Sequence, residues 1–115
     1  SDCEQIQTIE GNWGIGVSYY QTKDFNTAKE YFGKSYTLAK HSSILEFQME
    51  NLVYLIKIEM ELGNLASAGE YLREAERIAE DSDFVVLRLA IYDEYAKYFT
   101  ELGDYARASS YQKKY

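Results

Sequence analysis

The segment LGNLASAGEYL, residues 62–72, decides the fold of this chain because two other segments repeat its pattern. TKDFNTAKEYF, residues 22–32, and LGDYARASSYQ, residues 102–112, align with it at intervals of 40 residues. In each segment a turn residue is followed by Asp or Asn, then a large apolar residue and, three positions later, an alanine. Asp and Asn are favourable N-caps, since their side chains accept a hydrogen bond from an otherwise unpaired backbone N–H. Each segment therefore predicts the end of one helix and the start of the next.

The aligned positions fall into three sets, namely the turns Lys23, Gly63 and Gly103, the caps Asp24, Asn64 and Asp104, and the small residues Ala28, Ala68 and Ala108. An alanine at this place lets the second helix pack closely on the first. Helices are predicted downstream at residues 25–41, 65–80 and 105 to the chain end, and an amphipathic helix is predicted upstream of each turn. Ser43 and Glu46 form a capping-box pattern that predicts the start of the middle upstream helix. No segment alternates with period two, so no sheet is expected.

Composition limits the class of protein. At 115 residues, with 46% hydrophobic and 27% charged residues, the chain has the composition of one globular domain. The net charge of −7 argues against a nucleic-acid partner, because such surfaces are basic. No apolar run is long enough for a membrane span. The localisation is left open between cytoplasm and periplasm.

The three segments and their upstream helices resemble the tetratricopeptide repeat (TPR). The first repeat carries Ile15-Gly16, Tyr19, Lys23-Asp24-Phe25, Ala28 and Phe32; the second carries Leu55-Ile56, Gly63-Asn64-Leu65, Ala68, Leu72 and Ala75; the third carries Tyr95-Ala96, Phe99, Gly103-Asp104-Tyr105 and Ala108. Glu59 departs from the signature, which expects an aromatic there. The closing proline is missing, and the period is longer than the usual 34 or so residues.

The resemblance implies an all-α fold, a right-handed α-α superhelix of three helical hairpins. Residues 1–115 would form a single TPR-like domain, with repeats at about 4–41, 43–80 and 83–115. Because the third hairpin is short and Tyr111 and Tyr115 have no evident packing partner, we expect the chain to be a fragment of a longer protein.

The resemblance also implies a binding face, since the first helix of each hairpin lines the concave side of such a solenoid. The predicted groove consists of Trp13, Val17, Tyr20, Glu50, Tyr54, Lys57, Glu61, Asp93, Glu94, Lys97 and Glu101, and Glu10 is expected on the same face. Carboxylates dominate it, so a basic or amphipathic peptide is expected as partner rather than an acidic one. Trp13, Tyr20 and Tyr54 are the expected anchors, and Lys57 and Lys97 could hold a carboxylate or carbonyls of the partner. In the alternative interpretation, Trp13 and Tyr54 only fill space between hairpins.

No catalytic or metal-binding pattern is found, and neither an enzyme nor a cofactor is expected. His41 is the single histidine, Cys3 the single cysteine, and the glycines of Gly11–Gly16 do not match a phosphate-binding loop. The function expected is a protein–protein interaction scaffold. The longer repeat is similar to those of bacterial signalling proteins, which favours a segment of a bacterial sensor or regulatory protein. The alternatives are a spacer that forms a homodimer through apolar ends, and a soluble cytoplasmic adaptor.

Overall fold

The computed structural model describes residues 2–80 and 83–113, and residues 81, 82, 114 and 115 of the predicted repeats lie outside that part. Within the described part the chain forms helices and no strand. The helices are α1 (Asp2–Gln21), α2 (Phe25–His41), α3 (Leu45–Leu62), α4 (Leu65–Glu80), α5 (Val85–Glu101) and α6 (Tyr105–Gln112). They form the three predicted hairpins, α1–α2, α3–α4 and α5–α6, and the bounds predicted for the second helices of the first two hairpins are confirmed.

Each predicted turn ends its helix in a left-handed residue. Lys23, Gly63 and Gly103 have φ values of 65°, 76° and 78°. At each turn the left-handed residue donates its N–H three residues back and the next residue donates five residues back, as Gly63 does to Met60 and Asn64 does to Glu59. This is the Schellman pattern, which satisfies the last carbonyls of a helix.

Two of the predicted N-caps are confirmed. The carboxylate of Asp24 accepts a hydrogen bond from the N–H of Thr27 at 3.4 Å, and that of Asp104 accepts one from Arg107 at 3.1 Å. These two turns therefore end one helix and cap the next within three residues.

The capping box predicted at Ser43 and Glu46 is wrong. Ser43 has a φ of 55° and donates its N–H to Lys40, so it ends α2 instead of starting α3. Ile44 occupies the N-cap position of α3 and makes no side-chain cap hydrogen bond. Ser43 resembles an ordinary N-cap in sequence, but its backbone already serves the end of the preceding helix.

The core runs between the hairpins. Every helix contacts the next one along the chain, and α3 also contacts α1 and α5. Ala28, Ala68 and Ala108 are all buried, which confirms their predicted place between close-packed helices. The thinnest dimension of the molecule is 19 Å, about two helix diameters. The fold is thus two layers thick, with α3 at its centre.

Gly16 marks the closest approach of α1 to α2. A Cβ at this position would lie 3.0 Å from three ring atoms of Phe32, whose side chain is fully buried. We expect Gly16→Ala to lower the free energy of unfolding by about 1–3 kcal/mol, since a ring packed on all sides cannot move aside cheaply.

Gly33 is the matched control because it lies inside α2, where a Cβ would meet no neighbouring side chain or helix within 4 Å. Gly33→Ala should raise the free energy of unfolding by about 0.5–1 kcal/mol through helix propensity alone. Urea unfolding followed by circular dichroism measures both variants. Equal stabilisation by both would show that Phe32 leaves room at Gly16.

Candidate functional site

The predicted groove residues lie on three helices that pack side by side. Because α3 contacts both α1 and α5, it joins the contributions of the other two. Trp13, Val17 and Tyr20 are on α1; Glu50, Tyr54, Lys57 and Glu61 are on α3; Asp93, Glu94, Lys97 and Glu101 are on α5. All of them are half-buried or exposed except Glu94, which is buried. The first helix of each hairpin therefore carries one part of the predicted groove.

Tyr54 is the centre of the aromatic cluster in this site. Its ring meets Trp13 edge-on at 6.0 Å and Tyr20 edge-on at 5.2 Å, measured between ring centroids. On its inner side it stacks on Phe32 at 4.7 Å. Such pairs stabilise by about 0.5–1.5 kcal/mol beyond the area they bury. The cluster thus joins the first two hairpins, as the space-filling interpretation requires, while three of its rings keep an outer surface.

Trp13 has an unusual feature inside this cluster. Its indole Nε1 is buried and has no hydrogen-bond partner among the described residues. An unsatisfied buried donor costs about 1–3 kcal/mol. The rest of the indole remains partly exposed, so Trp13 is both a packing residue and a surface residue.

The two groove lysines are held by one carboxylate. Lys57 Nζ lies 2.8 Å from Glu94 Oε1, and Lys97 Nζ lies 3.4 Å from the same oxygen. Lys97 also contacts Asp93 Oδ2 at 3.1 Å. The hydrogen bonds and charges of Asp93 and Glu94 raise the pKa of Lys97, although its partial burial acts in the opposite direction. Both lysines therefore already have carboxylate partners within the chain, and one of these partners, Glu94, is buried.

A second set of carboxylates combines side chains of α1 and α3. Partial burial raises the pKa of Glu50, and the negative charges of Glu46 and Glu10 raise it further. No ion pair among the described residues involves any of these three. We call Glu10, Glu46 and Glu50 the acidic corner. Glu46 was not predicted as part of the site because its sequence pattern assigned it to a capping box; its position one helical turn before Glu50 was the available signal.

One end of the predicted groove holds a small cavity. It measures about 310 Å³ and is lined by Tyr20, Gln21, Lys23, Phe25 and Glu61. The rings of Tyr20 and Phe25 meet at 5.6 Å and form one wall. Partial burial raises the pKa of the Tyr20 hydroxyl; Lys57 opposes this rise, and Glu61 and Glu94 add to it. The volume is at the lower end of that of ligand pockets and suits a single side chain.

A larger depression lies outside the predicted groove. It measures about 470 Å³ and is lined by Asn12, Gly33, Lys34, Thr37 and Leu38. None of these residues is aromatic, so the depression lacks the combination of aromatic rings and polar groups that the predicted groove has. We therefore favour the predicted groove as the candidate site.

Other kinds of site find no support in the described residues. No three His, Cys, Asp or Glu side chains in that part are arranged to hold a metal ion. Cys3 and His41 are both exposed. Among the described helices, none combines the length and apolar character needed to cross a membrane.

Comparison with known proteins identifies the first hairpin. Residues 9–42 match the family model of the tetratricopeptide repeat. No curated protein and no solved structure matches the chain. The matched segment covers most of α1, all of α2 and the turn between them. Tetratricopeptide repeats typically mediate protein–protein interactions and carry no catalytic activity of their own. This match and the all-helical hairpins of the described residues together support a TPR-like fold, with one tetratricopeptide repeat recognised at residues 9–42.

Proposed function

We propose that α1, α3 and α5 form a groove that binds a basic, amphipathic peptide or helix of a partner protein. The observation that carries the proposal is the combination of partly exposed aromatic rings with carboxylates that have no counter-ion in the described part of the chain. Glu10, Glu46 and Glu50 form the acidic corner, and Glu61 is likewise absent from the ion pairs of the described residues. A partner cation would relieve the repulsion at the corner, while a partner carboxylate would add to it.

The aromatic rings give the partner a second kind of contact. Trp13 lies one turn after Glu10 on α1, and Tyr54 lies one turn after Glu50 on α3. A lysine or arginine that reaches the acidic corner can therefore lie over an aromatic ring at the same time, a contact of about 0.5–2 kcal/mol. Apolar side chains of the same peptide would pack on the remaining ring surface. This combination supports an amphipathic partner over a purely charged one.

Selection of peptides against the folded chain tests this proposal. We expect enriched peptides in which Lys or Arg alternates with apolar residues, and an affinity that falls as salt is added. Trp13→Ala should weaken the best peptide at least tenfold, since aromatic residues that a partner buries dominate such interfaces. Tyr105→Ala is the control, because Tyr105 is 70% exposed and lies on α6, outside the groove.

Two outcomes would contradict the proposal. One is a well-folded chain that enriches no peptide. The other is a peptide whose affinity changes equally in Trp13→Ala and Tyr105→Ala, which would place its site elsewhere. Circular dichroism of each variant separates lost binding from lost folding.

For the parent protein we propose a segment of a bacterial sensor or regulatory protein, which rests on the similarity of the long repeat to such proteins. A dimerising spacer is the second candidate. Leu89, Leu102 and Tyr105 of the third hairpin are 37%, 50% and 70% exposed, whereas Met49, which precedes Leu89 by one 40-residue interval, is fully buried. A mass that rises with concentration in light scattering would favour the spacer.

A further inference from the structure

The cavity of about 310 Å³ at the end of the predicted groove combines an aromatic wall with oxygen acceptors. Tyr20 of α1 and Phe25 of α2 form the wall, with ring centroids 5.6 Å apart and ring planes tilted by 58°. Glu61 of α3 also lines the cavity, and its carboxylate forms no ion pair among the described residues. The amide of Gln21 and the hydroxyl of Tyr20 provide two more acceptor oxygens. The cavity therefore offers ring surface to an alkyl chain and oxygens to a cation.

We propose that this cavity is a subsite for a lysine side chain of the partner, with the alkyl stem against Tyr20 and Phe25 and the ammonium group on Glu61. The proposal rests on the proposed function and deepens it, because it names one residue of the partner and the place where that residue binds. An ammonium group has three donors and no acceptor, and the acceptors of the cavity belong to three side chains on two helices. The planar fork of arginine instead favours two oxygens of one carboxylate.

Lys23 is the lining residue that opposes a cationic occupant. It is exposed and forms no ion pair with Glu61 or with another described carboxylate. The charges that act on the hydroxyl of Tyr20 include those of Lys57, Glu61 and Glu94, and the last two raise its pKa together with burial. Lys57 is paired with Glu94 at 2.8 Å, so Glu61 is the one of these three that keeps its charge uncompensated. A partner cation can compensate it.

The cavity and the acidic corner set a distance between two basic residues of the partner. Glu61 follows Glu50 of the acidic corner by eleven residues on α3, a rise of about 16 Å at about 1.5 Å per residue. An extended peptide spans this distance in about five residues, at about 3.3 Å per residue. A partner helix that lies along α3 spans it in about eleven. Selected peptides should therefore repeat a basic residue at one of these two intervals.

Glu61→Gln in the full chain tests the inference. The probe is a fluorescent eight-residue peptide in which lysine alternates with leucine, and its affinity is measured by fluorescence anisotropy. We expect Glu61→Gln to weaken the probe at least about threefold, the effect of one partly exposed ion pair. Glu70→Gln is the matched control, because Glu70 is an exposed carboxylate on α4, outside the groove. Equal losses in the two variants would overturn the inference, since net charge alone would then explain them.

Lys23→Met gives a second test with the opposite sign. Removal of the cation that repels a partner lysine should raise the affinity of the same probe about twofold. Lys34→Met is the control, since Lys34 is exposed on α2 and does not line the cavity. A loss of affinity in Lys23→Met would overturn the inference, and so would an equal gain in Lys34→Met.

A capped lysine separates failure of the inference from failure of the proposed function. Nα-acetyl-lysine methylamide at millimolar concentration should shift the NMR signals of the Tyr20 and Phe25 rings in the wild-type chain. The norleucine analogue keeps the alkyl stem without the ammonium group and should shift them less. Equal shifts by both compounds, or none by the lysine compound, would overturn the subsite even if the peptide probe binds. A chain that binds the capped lysine but no basic peptide would support the subsite and refute the groove proposal.

Discussion

Replacement of Phe32 by alanine is expected to lower the free energy of unfolding by about 3–5 kcal/mol. Phe32 is fully buried on α2, where its ring stacks on Tyr54 of α3 at 4.7 Å and faces Gly16 of α1. The ring thus joins three helices that belong to two hairpins. Its removal would cost the transfer energy of the side chain and leave a cavity that the surrounding helices can close only partly. Since whole domains are stable by about 5–15 kcal/mol, this one change is a large part of the total.

Val86→Ala is the control for this prediction. It also shortens an apolar side chain on a helix, but Val86 is 80% exposed, so its effect should stay within about 0.5 kcal/mol. Urea unfolding monitored by circular dichroism gives both values. If Phe32→Ala costs no more than Val86→Ala, then α1, α2 and α3 do not meet at this ring. If the proposed groove binds a peptide, its affinity should fall together with stability in Phe32→Ala, because Tyr54 loses the ring on which it stacks.

The helices could be predicted because their signals are local. Turn residue, N-cap and alanine lie within six positions of each other, and this pattern predicted Phe25–His41 and Leu65–Glu80 with the observed bounds. The start of α3 was missed for a local reason as well. A left-handed helix end is usually a glycine, but at position 43 it is a serine, which is also a favourable N-cap.

Contacts between hairpins could not be predicted from the same pattern. Tyr111 was expected to lack a packing partner; in the structure it stacks on Tyr95 at 4.5 Å and donates to Glu76 Oε2 at 3.0 Å. Tyr115, named with it, lies outside the described residues. The tyrosine donates to a carboxylate 35 residues away on another helix, and helical periodicity predicts which face a side chain occupies but not its polar partner.

In the candidate site, too, the helix that carries each residue could be predicted from local signals, but the contacts between helices could not. The repeat register assigned the predicted groove residues to α1, α3 and α5, and their role in binding stays a prediction. The burial of Glu94 depends on how α3 and α5 pack, as does its contact with Lys57, 37 residues away. The acidic corner likewise combines residues of α1 and α3. Charge in the groove could be counted from the sequence, but which charges neutralise each other could not.

Lys29→Met is expected to lower the free energy of unfolding by about 2–4 kcal/mol. Lys29 Nζ on α2 lies 3.1 Å from Glu59 Oε1 on α3, and the Glu59 side chain is only 4% exposed. Glu59 is the residue that stands where the repeat signature expects an aromatic. Loss of one partner of a buried ion pair costs about 3–5 kcal/mol, because the other charge stays buried without compensation. The lower range applies here since Lys29 itself is 38% exposed.

Lys40→Met is the matched control. Lys40 Nζ lies 3.4 Å from Glu74 Oε1, but the two side chains are 53% and 24% exposed, so this change should cost less than about 1 kcal/mol. The double variant Lys29→Met, Glu59→Leu completes the test, because an apolar pair of similar size removes the stranded charge and should recover most of the loss. Recovery would mean that an apolar pair can replace the ion pair, so that position 59 also accepts an apolar residue. If the double variant is as unstable as Lys29→Met, the stranded charge of Glu59 is not the cause of the loss, and the proposed role of the ion pair is wrong.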